Sequence, residues 1–171
     1  AAVLDYKMPA EWEPHAACLL LCPHNAATFC LPAVEPEFLH FVKTIATEGQ
    51  EAVVLGCFDE AQKVAYEAAT AHIPNIHCAV CPSNDSWARD TAPTFVVAVD
   101  DDNERHLGAL DWKFNAYGGP EEGCYWPCEQ DGMVARQFAN ILMDPQVVVP
   151  CSKQITVLPV PLILEGGSIH T

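Results

Sequence analysis

The sequence predicts an α/β fold, because short apolar runs of strand length alternate with stretches whose apolar residues recur every three or four positions. Acidic and proline-containing turns punctuate the alternation. With 171 residues the chain has the size of one domain and can bury about 70% of its unfolded surface. Half the residues are hydrophobic and 18% are charged, which excludes a disordered or fibrous protein.

Taken in order, Pro9 to Pro14 leads in and Ala16 to Cys22 is a continuous apolar run halted by Pro23, the pattern of a strand buried on both faces. From Glu35 to Glu48 the spacing of Phe38, Phe41, Val42 and Ile45 predicts a helix, with Gly49 placed for a left-handed cap. Glu51 to Cys57 is the second strand. Asp59 with Gln62 resembles a capping box that opens a helix through His72. Asn75 to Cys81 is a third strand, Ser83 to Asp90 a polar turn, and Pro93 to Val99 a fourth strand that pairs across the Asp100 to Asn103 turn with Arg105 to Trp112. A helix carrying Val134, Phe138 and Ile141 on one face follows, then short strands at Gln146 to Val149, Ile155 to Leu158 and Leu162 to Leu164. A strand ending in an acidic turn occurs at Trp87 to Asp90 and again at Leu164 to Gly167, with Asp90 and Glu165 75 positions apart, which predicts a repeated unit. The last residues, through His170 and Thr171, read as a turn leading into another strand, so the chain is expected to be part of a longer polypeptide.

Charge narrows the function. Eight Lys and Arg against 23 Asp and Glu give a formal charge of −15, which opposes nucleic-acid and anionic-membrane binding and favours a cationic small molecule. No apolar run reaches the ~18 residues of a membrane helix. The first five residues lack the basic-then-apolar pattern of a signal peptide, which leaves the compartment open. Nine cysteines spread through strand-like and helix-like segments are expected to be mostly reduced, buried thiols, favouring a reducing compartment such as the cytoplasm. Cys78 and Cys81 have the spacing of a zinc knuckle, but no second pair follows. Within one strand their odd spacing points them to opposite faces, which disfavours shared coordination. No cofactor is expected.

Chemistry concentrates in Asn84-Asp85-Ser86-Trp87-Ala88-Arg89-Asp90, a polar turn held between two buried strands. An ordinary solvated turn would have Asp85 capping local amides and Arg89 pairing with a neighbouring acid. Against that, Trp87 offers a face for a cation and the adjacent carboxylate offers charge-assisted hydrogen bonds, which together suit a guanidinium or amine. Glu165, directly after an apolar strand and before Gly166 and Gly167, is either a second site carboxylate or an ordinary turn residue. Asp111 to Gly119 is aromatic-rich and can be a packed hairpin end or a pocket wall.

Four segments in order, Met8 to His15, Asn84 to Pro93, Leu110 to Gly119 and Leu164 to His170, resemble the N-terminal half of the agmatine deiminases, the branch of the guanidino-group modifying superfamily that includes bacterial-type peptidyl-arginine deiminases. The resemblance spans nearly the whole chain. It implies part of a five-fold pseudosymmetric α/β propeller, the pentein fold, for which five units of the 75-residue offset need about 375 residues; residues 1–171 would then be the N-terminal portion of one domain. It further implies hydrolysis of agmatine to N-carbamoylputrescine and ammonia, in polyamine and putrescine biosynthesis, by thiolate attack under a histidine's acid-base control and without a metal. The catalytic Cys and His of the family lie in later segments, so this chain alone is expected to be inactive. On this resemblance Asp90 is the catalytic carboxylate, and Trp87, Asp90 and Glu165 bind substrate. His170 is expected to be structural, since Thr171 stands where the related cysteine-bearing motif has its Cys. The chain departs from the family at His24 to Thr28, where a Trp-rich and Arg-containing stretch is usual, and at Ala92 and Tyr117, which replace Gly and Trp. The expected partners are agmatine and the remainder of the domain, or a partner chain that covers exposed edges. A catalytically silent structural subunit with a partial fold is the alternative from another class.

Overall fold

The computed structural model describes residues 4–149 and 154–170. Among these residues, six strands form two three-stranded sheets. In the first, β1 (Cys18–Leu21), β2 (Val53–Cys57) and β3 (Ile76–Val80) are parallel in sequence order. The crossovers are α1 (Leu31–Thr47) and α2 (Glu60–Thr70). The second sheet has order β4-β5-β6, with β4 (Thr94–Val99) antiparallel to β5 (Arg105–Lys113) and β5 parallel to β6 (Ile155–Ile163). Between the sheets runs the one-turn helix α3 (Ala88–Thr91); α4 (Gly119–Glu122) and α5 (Val134–Met143) connect β5 to β6.

Strand β2 is buried at every position and so must be apolar on both faces. Val53, Leu55 and Cys57 point toward Val42 and Ala46 of α1 and Tyr66 of α2, while Val54 joins Leu21 and Cys81 against α5 and the second sheet. Gly56 lies on that second face because a Cβ there would stand 2.8 Å from Leu21 Cδ2 and 3.1 Å from Phe138 Cζ. Fully buried side chains such as Phe138, Leu55 and Val134 contribute about 1.5–3 kcal/mol each by leaving water. As their spacing predicts, Cys78 belongs to the α1/α2 face and Cys81 to the other. The described cysteines form no disulfide: Cys22, Cys57, Cys81 and Cys128 are buried, Cys18 and Cys78 half-buried, Cys30 and Cys124 exposed. No helix among the described residues is long and apolar enough to cross a membrane.

Several expected boundaries move. Helix α1 starts at Leu31 rather than Glu35; Pro32 is tolerated in the first turn, where its missing N–H has no intrahelical partner, and Pro36 is accommodated inside. The left-handed residue after α1 is Gln50 (φ 56°) and not Gly49, whose role is close approach, since a Cβ would lie 2.6 Å from Ile45 O. At α2 the Asp59 half of the box forms as the sequence suggests, with Asp59 Oδ1 accepting from Gln62 N at 2.8 Å, while Gln62 Oε1 reaches one residue further back and accepts from Phe58 N at 2.8 Å. Gln146 to Val149 is not a strand, because Asp144 captures Gln146 N with its side chain and Val147 N with its carbonyl. Ile155 to Leu158 and Leu162 to Leu164 are instead one strand, ending at Ile163. It absorbs Pro159 and Pro161 because, among the described residues, β6 lies at the sheet edge and pairs with β5 alone. After Glu165 a 3-10 turn at Gly166–Ser168 replaces the start of the expected further strand, whose last residue, Thr171, lies outside the described residues.

Candidate functional site

The chemistry-bearing turns all follow the C-terminal ends of strands, where open α/β sheets place their crevices. Past β3, Asn84 and Asp131 clamp each other. Asn84 Oδ1 accepts from Gln130 N (2.9 Å) and Asp131 N (3.2 Å), and Asp131 Oδ1 accepts from Asn84 N (2.8 Å) and Asp85 N (3.3 Å). On the other side, Asp85 accepts from Ser86 N (2.8 Å), Thr28 Oγ1 (2.5 Å) and Asn25 Nδ2 (3.3 Å), while Ser86 Oγ donates to Cys22 O at 2.9 Å. Asp85 and Asp131 are each only 1% exposed, so these bonds replace water almost completely. The turn is thereby fixed before the chain reaches Trp87. Asn25 and Thr28, from the loop after β1, are two of its donors.

Burial pushes the Asp131 carboxyl above its ordinary range, more than the Tyr125 hydroxyl and the two backbone amides pull it back. A carboxyl raised in the fold takes up a proton on folding between its unfolded value of about 4 and its folded value, so its contribution to stability is full below that window and lost as pH rises through it. We expect Asp131→Asn, compared with the parent by denaturant midpoints across a pH series, to lose this decline while keeping the acceptor for Asn84 N.

Helix α3 then presents Asp90. Its Oδ1 accepts from Gly166 N and its Oδ2 from the Tyr117 hydroxyl, both at 2.8 Å. Tyr117 lies in a strained loop after β5, with left-handed φ at Ala116 (52°) and Tyr117 itself (66°). Phe114 packs edge-on against its ring at 5.3 Å. Burial, then Asp90, and more weakly Glu165, push the Tyr117 hydroxyl upward, so it remains a donor. Arg89 holds the turn after β6 in place: Nε donates to Gly166 O at 3.2 Å, and Nη2 to Ile169 O at 3.4 Å and to Glu11 at 3.1 Å. Two bland expectations thus hold alongside the site: Asp85 caps a local amide and Arg89 pairs with an acid.

Asp90, Tyr117 and Gly166 meet although they lie after three different strands. Glu165, exposed, stands at the head of the same turn, and Trp87, 39% exposed, opens the α3 turn with its ring tilted over Phe29 at 6.0 Å. His170 lies beyond the turn, exposed. A carboxylate has about four lone-pair positions, and two neutral donors fix Asp90 without exhausting them. The arrangement can receive a planar cation against oriented carboxylate oxygens beside an aromatic ring. Asp131 was not singled out by sequence, and Asn84 and Tyr117 were named only within the polar turn and the aromatic-rich segment, without these roles. Among the described residues, donor atoms close enough to share a metal ion gather at His15, Cys18 and Glu51 and at Asp100, Glu104 and His106, not at Asp90.

A sequence profile of the Porphyromonas-type peptidyl-arginine deiminase family matches residues 7–171. The chain belongs to that family. It is 34% identical to agmatine deiminase of Medicago truncatula over 170 residues, covering 96% of this chain and 41% of the relative, and 35% identical to agmatine deiminase of Ectopseudomonas mendocina (strain ymp), covering 96% and 40%. The solved structure of the Enterococcus faecalis agmatine deiminase superposes with a TM-score of 0.78 at 26% identity, covering 97% of this chain and 41% of that one. The chain therefore spans about two-fifths of the length of these deiminases, and its α/β architecture is theirs over that span.

Proposed function

We propose that the whole protein is an agmatine deiminase in which Asp90, with Glu165 and Trp87, binds the guanidinium. The observation that carries this reading is the Asp90 carboxylate, half-buried and oriented from both sides by Gly166 N and the Tyr117 hydroxyl, with Trp87 at the head of its helix and Glu165 next to Gly166 in the chain. The reaction exchanges one amino group of the guanidinium for the oxygen of water, giving a ureido group and ammonium. Asp90 orients the cation's N–H groups and holds its charge in place while a thiolate and a histidine from elsewhere in the whole protein attack the central carbon and move the protons. A formal charge of −15 suits a dicationic substrate such as agmatine.

The same reading makes residues 1–171 part of a larger pentein propeller. Exposed Leu162 (62%) and Ile163 (56%) at the β6 edge support a cover of further modules there. The test is to supply the whole protein with agmatine, free arginine and an arginine-containing peptide, following ammonia and ureido product. Turnover of agmatine well above the other two is expected; turnover confined to the peptide, or none, would reject the assignment.

A further inference from the structure

Away from Asp90, at the opposite, N-terminal end of the parallel sheet, three donor atoms of different chemistry converge. His15 Nε2 and Glu51 Oε2 are 2.6 Å apart, the Cys18 thiol donates to the same Oε2 at 3.0 Å, and Cys18 Sγ lies 3.9 Å from His15 Nε2. We propose that His15, Cys18 and Glu51 form a zinc site with one coordination position left to solvent. Tetrahedral zinc with Zn–S of about 2.3 Å and Zn–N and Zn–O of about 2.0–2.2 Å sets its donors roughly 3.4–3.6 Å apart. The observed separations bracket that figure, so shifts of under about 1 Å bring all three onto one ion.

Rigid backbone backs two of the ligands. Cys18 opens β1 and donates its N–H to Ala52 O at 2.9 Å. Glu51, two residues before β2, donates its N–H to Ile45 O at 3.3 Å and accepts from Asn75 Nδ2 at 2.6 Å. His15 is on the exposed segment leading into β1 and can move to complete the site. A sulfur, a nitrogen and an oxygen together suit borderline-soft zinc rather than magnesium or calcium, which take oxygen. On binding, the Cys18 thiol gives its proton to solvent and its sulfur to the metal, and Glu51 exchanges two hydrogen bonds for one metal bond. As the cluster stands, burial and then Glu51 push that thiol up to about 12, so it keeps its proton. A purely hydrogen-bonded trio is the competing reading. The metal would pin the leading segment to the sheet, a role separate from the guanidinium site.

Titrating the protein with Zn²⁺ against a chromophoric chelator, and with Co²⁺ as a spectroscopic probe, decides between them. Expected are one equivalent bound, tetrahedral visible absorption from Co²⁺ with a thiolate-to-cobalt band, and an unfolding midpoint raised by Zn²⁺. Cys18→Ser should abolish the thiolate band and weaken Zn²⁺ binding at least about a hundredfold, more than the loss of an outer-shell partner does. His15→Gln, at an exposed position, should weaken it similarly and serves if the Cys18 variant fails to fold. Replacing the exposed Cys30 and Cys124 together by Ser should change neither signal. Absence of the thiolate band in the parent protein, or its persistence in Cys18→Ser, would overturn the proposal; neither outcome bears on agmatine turnover, which is read separately.

Discussion

Replacing Asp90 with Asn is expected to lower agmatine turnover by the whole protein at least about thirtyfold, since each 1.4 kcal/mol is tenfold and a desolvated cation that loses one charged partner loses about 2–5 kcal/mol. The substitution is designed to spare the fold. Gly166 N–H requires an acceptor, so the amide oxygen takes the place of Oδ1; the amide nitrogen then faces Tyr117, whose hydroxyl can turn to accept. What changes is the charge and the second acceptor available to the guanidinium. Trp87→Ala should cost less, about 1–2 kcal/mol, because the ring is 39% exposed and a partly desolvated cation–π contact is worth no more. The check is kcat/KM for both variants beside their unfolding midpoints. Near-normal turnover by Asp90→Asn, or a loss explained by unfolding alone, would remove this turn from the guanidinium site.

Local pattern made the first sheet and its helices legible. The run through Leu19, Leu20 and Leu21 and the wholly apolar β2 are what a parallel strand covered on both faces requires, and Asp59 with Gln62 marked the start of α2 by a mechanism that the structure repeats. Prolines misled in two opposite ways. Pro32 and Pro36 hid the first turn of α1, and Pro159 with Pro161 split β6 into two strands. Pro32 is tolerated because its missing N–H falls in the first turn, Pro36 is accommodated inside the helix at the loss of one bond, and Pro159 and Pro161 lie at a sheet edge, positions that spacing does not encode. The candidate site was legible only in part. Trp87 beside Asp90 stood out as an aromatic in an acidic turn, but the groups that orient Asp90 come from 27 and 76 residues away. Asn84 and Asp131, 47 residues apart, meet in the same way. Periodicity tells which face a side chain takes, not which distant segment faces it. The His15, Cys18 and Glu51 cluster escaped for that reason, since Glu51 has no ligand-like spacing to the other two.

Gly166→Ala is expected to destabilise the protein by at least about 2 kcal/mol and to cut agmatine turnover with it. A Cβ at this position would lie 2.2 Å from Arg89 O, 2.6 Å from Arg89 Cγ and 2.7 Å from Arg89 C. The two nearest backbone atoms belong to α3, which carries Asp90, and backbone cannot yield as the tip of a side chain can. Relief has to come from moving the turn away from α3. That movement lengthens Gly166 N to Asp90 Oδ1 and Arg89 Nε to Gly166 O together, so Asp90 loses one of its two orienting donors while Arg89 loses its hold on the turn. Gly167→Ala is the control: a Cβ there meets nothing within 4 Å, and its stability should stay within about 0.5 kcal/mol of the parent. Denaturant midpoints and kcat for the two variants side by side test the argument. If Gly166→Ala behaved like Gly167→Ala, the turn after β6 would not be seated against α3, and the coupling that holds Gly166 N against Asp90 would be lost with it.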